Sequence, residues 1–356
     1  MTNPWSNITS PSLIIDKKRV VNNINKLSTK FKKSNTLFRP HFKTHQSVKI
    51  GNWFRELGIH QISVSSVEMA WQFYQAGWKD ISIVFPFNRR EMERVNQMST
   101  DAQINLLIED LSTLAFLAKH STHALGLFIK TDCGYHRTGV DVEDVEQIKT
   151  LALETLNHKN LNFKGVLAHF GNTYSARSAA QIKAIFNNGL AKMQRVKEEL
   201  LQIFPEVILS IGDTPSASVM DNFNGVDEMR PGNFVFYDWM QTEIGSCTNE
   251  QIAAIVLCPV VAKHASRKDL IIHGGAVHFS KEKGDKHFGA ITDVSEGYST
   301  ISIEGTYLKS LSQEHGIVSC GNNFFDKIQI GDLIGVIPIH SCLTANLMKE
   351  NTIIIE

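Results

Sequence analysis

At 356 residues, 42% hydrophobic and 20% charged, the chain has the composition of a globular protein large enough for one sizeable domain and a second, smaller one. Its 36 basic residues balance 36 acidic ones, so no strong field favours a nucleic-acid or anionic-membrane partner, and small-molecule chemistry is the expected function class. Five scattered cysteines without a CxxC pair suit a reducing compartment. The first residues lack the basic and apolar regions of a secretory signal, and no apolar run approaches the ~20 residues of a membrane span. The expected location is the cytoplasm.

In chain order, short apolar runs at 35–41, 61–66, 81–86, 103–108, 125–131, 163–169, 206–211 and 226–230 read as strands. Amphipathic stretches at 45–57, 67–77, 111–120, 142–157 and 177–203 read as helices between them. Runs of this kind separated by helical patterns predict βα units and a parallel sheet, and their number predicts a (β/α)8 barrel. After about residue 245 the helical patterns give way to strand-like segments at 252–262, 269–273, 289–294, 299–304, 328–338 and 352–355. The expected domains are a barrel over 1–245 and a mostly antiparallel β-domain over 246–356.

Chemistry in such barrels collects at the carboxyl ends of the strands. The first run ends in Pro40-His41-Phe42-Lys43-Thr44-His45, which places a lysine between two histidines. Most lysines are solvated surface charges, but an amine at a strand end is also suited to Schiff-base chemistry with an aldehyde. Pro40 is expected to stiffen the strand end, and the flanking histidines to discourage protonation of the amine by like charge. Later runs end in Gly212-Asp213-Thr214-Pro215-Ser216 and Arg230-Pro231-Gly232-Asn233. Glycine, proline and serine make turns without binding anything, and either loop alone says no more than that. Following the seventh and eighth strands, however, the two loops occupy the usual phosphate position of these barrels. A lysine and a phosphate site together point to pyridoxal 5′-phosphate.

The motifs RPHFKTH (39–45), TDCGYHRTG (131–139), GDTPS (212–216) and RPGNFVFYD (230–238) resemble those of the pyridoxal phosphate enzymes of alanine racemase fold. QEHG (313–316) and PIHSCLT (338–344) resemble second-domain motifs of the branch containing D-serine dehydratases and D-threonine aldolases. The resemblance implies that Lys43 carries the cofactor, that Arg137, His169 and Tyr174 surround its ring, and that Thr214, Gly232 and Asn233 hold its phosphate. It also implies a homodimer acting on a small D-amino acid. At 273–279, HGGAVHF places a histidine where the family pattern has an aspartate.

His340 and Cys342 follow the run 333–337. On a strand, residues i and i+2 share a face, so both could reach one ion, and imidazole with thiolate suits zinc. A lone His-x-Cys is more often a packed pair; the resemblance is what favours the metal. His264, His273, His278 and His287 form a rival group with the irregular spacing of surface loops.

With pyridoxal phosphate and zinc, the resemblance implies a lyase of D-3-hydroxy amino acids, with dehydration of D-serine first and cleavage of D-threonine as the alternative. A racemase needs a second base from the β-domain, for which only Tyr298 and Tyr307 are available. A decarboxylase could use Cys342 but leaves His340 idle. A non-catalytic cofactor carrier would not need the β-domain.

Overall fold

The structure is a computed structural model that describes residues 5–356. Its contacts form two compact units: residues 25–232, and the chain up to Ile24 together with Asn233–Glu356.

The first unit is a nearly closed parallel barrel of eight strands. Around the ring run Leu37–Phe38, Gln61–Val64, Asp80–Pro86, Gln103–Ile108, Leu125–Asp132, Leu161–Ala168, Ile208–Ile211 and Glu228–Met229, which pairs with Leu37–Phe38 again. Closure between Leu37–Phe38 and Gln61–Val64 is made by a bridge from His41 to Ser63. Ladder bonds run past the short first and last strands, from Arg39 N–H to Met229 O and from His41 N–H to Pro231 O. The sequence expectation of a longer run over 35–41 therefore describes the hydrogen bonding better than the two-residue strand does.

Leu107, Phe128 and Leu167 pack together at the core, with Val84 and Ile208 against them. Buried charge lies here too. Arg39 bonds Glu228 and, at 2.6 Å, Asp80. The helices Val48–Glu56, Val67–Gln75 and Leu111–His120 start at Ser47, Ser66 and Asp110, whose side chains accept backbone N–H groups of the first turn.

The second unit carries an eight-stranded sheet, mostly antiparallel. Its first strand, Ser12–Asp16, pairs antiparallel with Ala254–His264 and parallel with Thr352–Ile355. The expected boundary at 245 differs from the one the contacts draw at 232, and the first strand joins the far end of the chain. Asp269–His273 and Thr352–Ile355 match their expected spans. Ser302–Leu311 is longer than expected, and the strand His315–Ser319 was not foreseen.

Candidate active site

In the barrel unit, the loop after the first strand is fixed by Phe42. Its ring is fully buried and lies 5.0 Å from Phe54, 4.9 Å from Phe73 and 5.1 Å from Trp78. Thr44 and His45 are buried as well, so Lys43 alone of this group reaches outward, and its side chain is exposed. His41 Nδ1 accepts the Lys43 backbone N–H at 3.3 Å.

The flanking histidines differ from the sequence expectation. Burial, reinforced by Lys43, Arg230, His169 and Arg137, holds His41 well below the ordinary imidazole range. Burial takes His45 down to about 3. Both rings are neutral, so neither exerts like charge on the amine; the cations near His41 are instead Lys43 and two guanidinium groups.

The loop after Leu125–Asp132 is shaped by Asp132, whose Oδ1 accepts N–H groups from Gly134, Tyr135 and His136 at 2.9–3.1 Å. This turn delivers Arg137, whose guanidinium lies 5.4 Å from the Tyr135 ring centre. Tyr135 in turn meets His169 edge-on at 5.7 Å, and His169 lies 6.1 Å from the Tyr174 ring. His169 Nδ1 hydrogen-bonds the Gly212 carbonyl. Burial, then Arg137, depress its pKa to about 3, against that hydrogen bond.

Tyr174 Oη accepts the Thr214 N–H at 3.2 Å. Thr214 opens a helix with Pro215 in its first turn, and Asp213 caps it by accepting the Ser216 N–H at 2.6 Å. Gly232 packs where a Cβ would lie 3.1 Å from both Cβ and O of His41. Arg230 is buried against Ser210 and the Ala168 carbonyl.

Lys43, Arg137, His169, Tyr174, Thr214 and Gly232 thus converge at the carboxyl ends of the strands. The charged groups felt by His41 are all cationic. A mouth of this sign, with no side chain at Gly232, fits an anionic occupant such as a phosphorylated, carboxylate-bearing molecule. Sequence reasoning gave no role to Arg230, although it stands inside a motif it quoted, and assigned His41 only a like charge that the neutral ring does not carry.

Asn233, His340 and Cys342 lie in the second unit. The expectation that His340 and Cys342 share a strand face is corrected. The strand Leu333–Pro338 ends first; His340 is extended at the N-cap of the helix Ser341–Leu347, and Cys342 lies in that helix. The two side chains still hydrogen-bond each other. Burial opposes a charged imidazole at His340, but Cys342, Glu282 and Asp238 outweigh it and raise the pKa to about 11. His340 Nδ1 donates to Glu282 Oε2 at 2.7 Å.

Behind the pair, buried Asp238 accepts the Ser341 N–H at 2.9 Å and bonds Asn233 Nδ2, which also lies 3.7 Å from Cys342 Sγ. The side-chain amide of Asn233 is therefore committed to this network. An imidazole in contact with a thiol, each held from behind, is a donor set suited to zinc. Asp238 ends a quoted motif and Glu282 lies outside all of them; only the fold marks either.

A family model for the alanine racemase N-terminal domain matches residues 15–238, and one for a putative serine dehydratase domain matches 253–354. The chain belongs to the alanine racemase-like family. It is 26% identical to a D-serine dehydratase of Dictyostelium discoideum, over 98% of this chain and 94% of that one. It is also 26% identical to the D-threo-3-hydroxyaspartate dehydratase of Delftia sp., over 94% and 91%. The solved structure of the Delftia enzyme superposes with a TM-score of 0.88 at 25% identity, covering 96% of this chain and 93% of that one. A cysteine-to-alanine variant of a D-threo-3-hydroxyaspartate dehydratase, described as a metal-free form, gives 0.89 at 25% identity over 96% and 93%.

Proposed function

We propose that the protein is a pyridoxal phosphate- and zinc-dependent lyase of D-3-hydroxy amino acids that dehydrates D-serine to pyruvate and ammonia. The observation that carries the reading is the exposed amine of Lys43 beside the neutral rings of His41 and His169 and the guanidinium groups of Arg137 and Arg230. The relatives named as dehydratases, matched over nearly the whole chain, support the reaction class.

When bound, pyridoxal phosphate supplies an electron sink for the developing carbanion at Cα, and zinc a Lewis acid for an oxygen leaving group. Lys43 would hold the cofactor, and its amine would take the Cα proton. Thr214 and Gly232 would hold the phosphate, and Arg137 would offset its negative charge. His169 donates from Nδ1 to Gly212, so its Nε2 is the basic nitrogen. Loss of the Cα proton and the β-hydroxyl leaves an enamine that water converts to pyruvate and ammonia.

His340 and Cys342 would hold the zinc. We rank dehydration ahead of aldol cleavage because the histidine–cysteine pair resembles that of the dehydratases; a cysteine-to-alanine variant of a D-threo-3-hydroxyaspartate dehydratase is described as a metal-free form. Racemization lacks its second base. Tyr298 donates to the Ile252 carbonyl beneath Arg19, and burial raises its pKa far above the ordinary phenol range. Tyr307 is stacked on His287. The proposal includes a homodimer in the cytoplasm. Among the described residues, no helix is long and apolar enough to cross a membrane.

The test is incubation of zinc-loaded protein with D-serine, D-threonine and D-threo-3-hydroxyaspartate, with and without a chelator. Keto acid and ammonia, lost with chelator, is the expected result. Glycine with an aldehyde would make it an aldolase, and no product from any of the three would overturn the lyase reading.

A further inference from the structure

Two groups of metal-capable side chains occupy the second unit, and their hydrogen bonds set them apart. His273, His278 and Glu314 bring three ligand atoms within 4.8 Å of one another. Yet His278 Nδ1 accepts the Gly275 N–H at 3.1 Å, so the neutral ring carries its proton on Nε2, and His273 Nε2 faces Glu314 at 3.8 Å. At His340 the arrangement is reversed. Nδ1 donates to the Glu282 carboxylate, which turns Nε2 into the ligating nitrogen.

The segment carrying Glu282 is built to hold that contact. Ser280 has φ 65° and ψ −175°, a region nearly confined to glycine, and its Oγ accepts the Glu282 N–H at 3.1 Å. Gly284 then lies so close to the residue before His340 that a Cβ would sit 2.9 Å from Ile339 Cδ1. Gly284 N–H also closes a turn onto the His287 carbonyl at 2.9 Å. A strained serine on one side and a glycine packed against Ile339 on the other bracket the carboxylate.

We infer that Glu282 is the positioning residue of the metal site, fixing the tautomer and orientation of His340; this rests on the reading of His340 and Cys342 as metal ligands. Replacement of such a partner typically weakens metal binding by about 10–100-fold. The consequence is read in affinity as well as in turnover.

Zinc affinity of the full chain is measured by competition with a chromophoric chelator, and cobalt is used to record the thiolate-to-metal absorption band. Controls are the wild-type protein and Cys342→Ala. Glu282→Ala is expected to lose about 10–100-fold in affinity, with Glu282→Gln between it and wild type because its carbonyl still accepts the Nδ1 proton. The Cys342 band should persist in both with altered shape. Equal affinity in all three Glu282 forms overturns the role of Glu282 while leaving the metal site in place. Wild-type protein that takes up metal no better than Cys342→Ala overturns the metal reading itself, and Glu282 with it.

Discussion

His169 donates its Nδ1 proton to the carbonyl oxygen of Gly212, and burial beside Arg137 keeps the ring neutral. Its tautomer is therefore set by a backbone group 43 residues away. Neutral buried histidines make stability depend on pH. The native state holds His169 and His45 near pKa 3, whereas the unfolded chain binds a proton at about 6.5. Their stabilisation is present above about pH 6.5 and is lost as pH falls toward 3. Each should cost about 2 kcal/mol between pH 7 and pH 5. His45 sits in a nest of Phe42, Phe54 and Phe73, and its Nε2 has no hydrogen-bond partner. His45→Phe should therefore reduce the pH 7-to-5 loss by about 2 kcal/mol in urea titrations; an unchanged slope would mean that His45 is protonated in the fold.

Lys43→Ala should remove the absorption band of lysine-bound pyridoxal phosphate and lower turnover by on the order of 10²–10⁴-fold or more. Lys43→Arg should not restore the band, because a guanidinium stays protonated and is no Schiff-base amine. A K43A protein with the wild-type spectrum would sink the assignment.

Phe42 precedes Lys43, and its buried ring anchors the loop. Phe42→Ala should cost about 3–5 kcal/mol in denaturant titrations, from lost burial and the cavity left behind. Activity per bound cofactor should fall as well, because a shift of about 1 Å in a reacting group can cost 10²-fold. Full activity in a destabilised F42A protein would show that the loop is held elsewhere.

Arg39 and Glu228 form a buried pair, 4% and 1% exposed. Glu228→Gln leaves the guanidinium with partly exposed Asp80 alone and should cost about 3–5 kcal/mol. A loss below about 1 kcal/mol would show that Asp80 compensates the charge unaided.

Much of the barrel was legible because its signals are local. The run 103–108 appears as the strand Gln103–Ile108 and 111–120 as the helix Leu111–His120, since period and capping residue are written in the same few positions. Lys43 could be singled out because one side chain at a strand end needs no distant partner to be noticed. His340 and Cys342 were paired in the sequence for a reason the fold does not use. His340 and Cys342 meet across the start of a helix, where an N-cap residue and the first turn bring i and i+2 together. That boundary depends on where the sheet releases the chain, and the apolar run before it gives no sign of the place.

The sequence by itself determined the alternation of strand and helix, the change to an antiparallel pattern, and the presence of an amine, glycine turns and a histidine–cysteine pair. These follow from residue type and short-range spacing. Tertiary structure alone decided that Ser12–Asp16 joins a sheet with residues 254–264, that His41 and His45 are neutral, and that Glu282 stands behind His340 across 58 residues. Burial and a buried hydrogen bond are properties of what surrounds a group. In a parallel barrel closed by long crossovers, those surroundings come from distant parts of the chain.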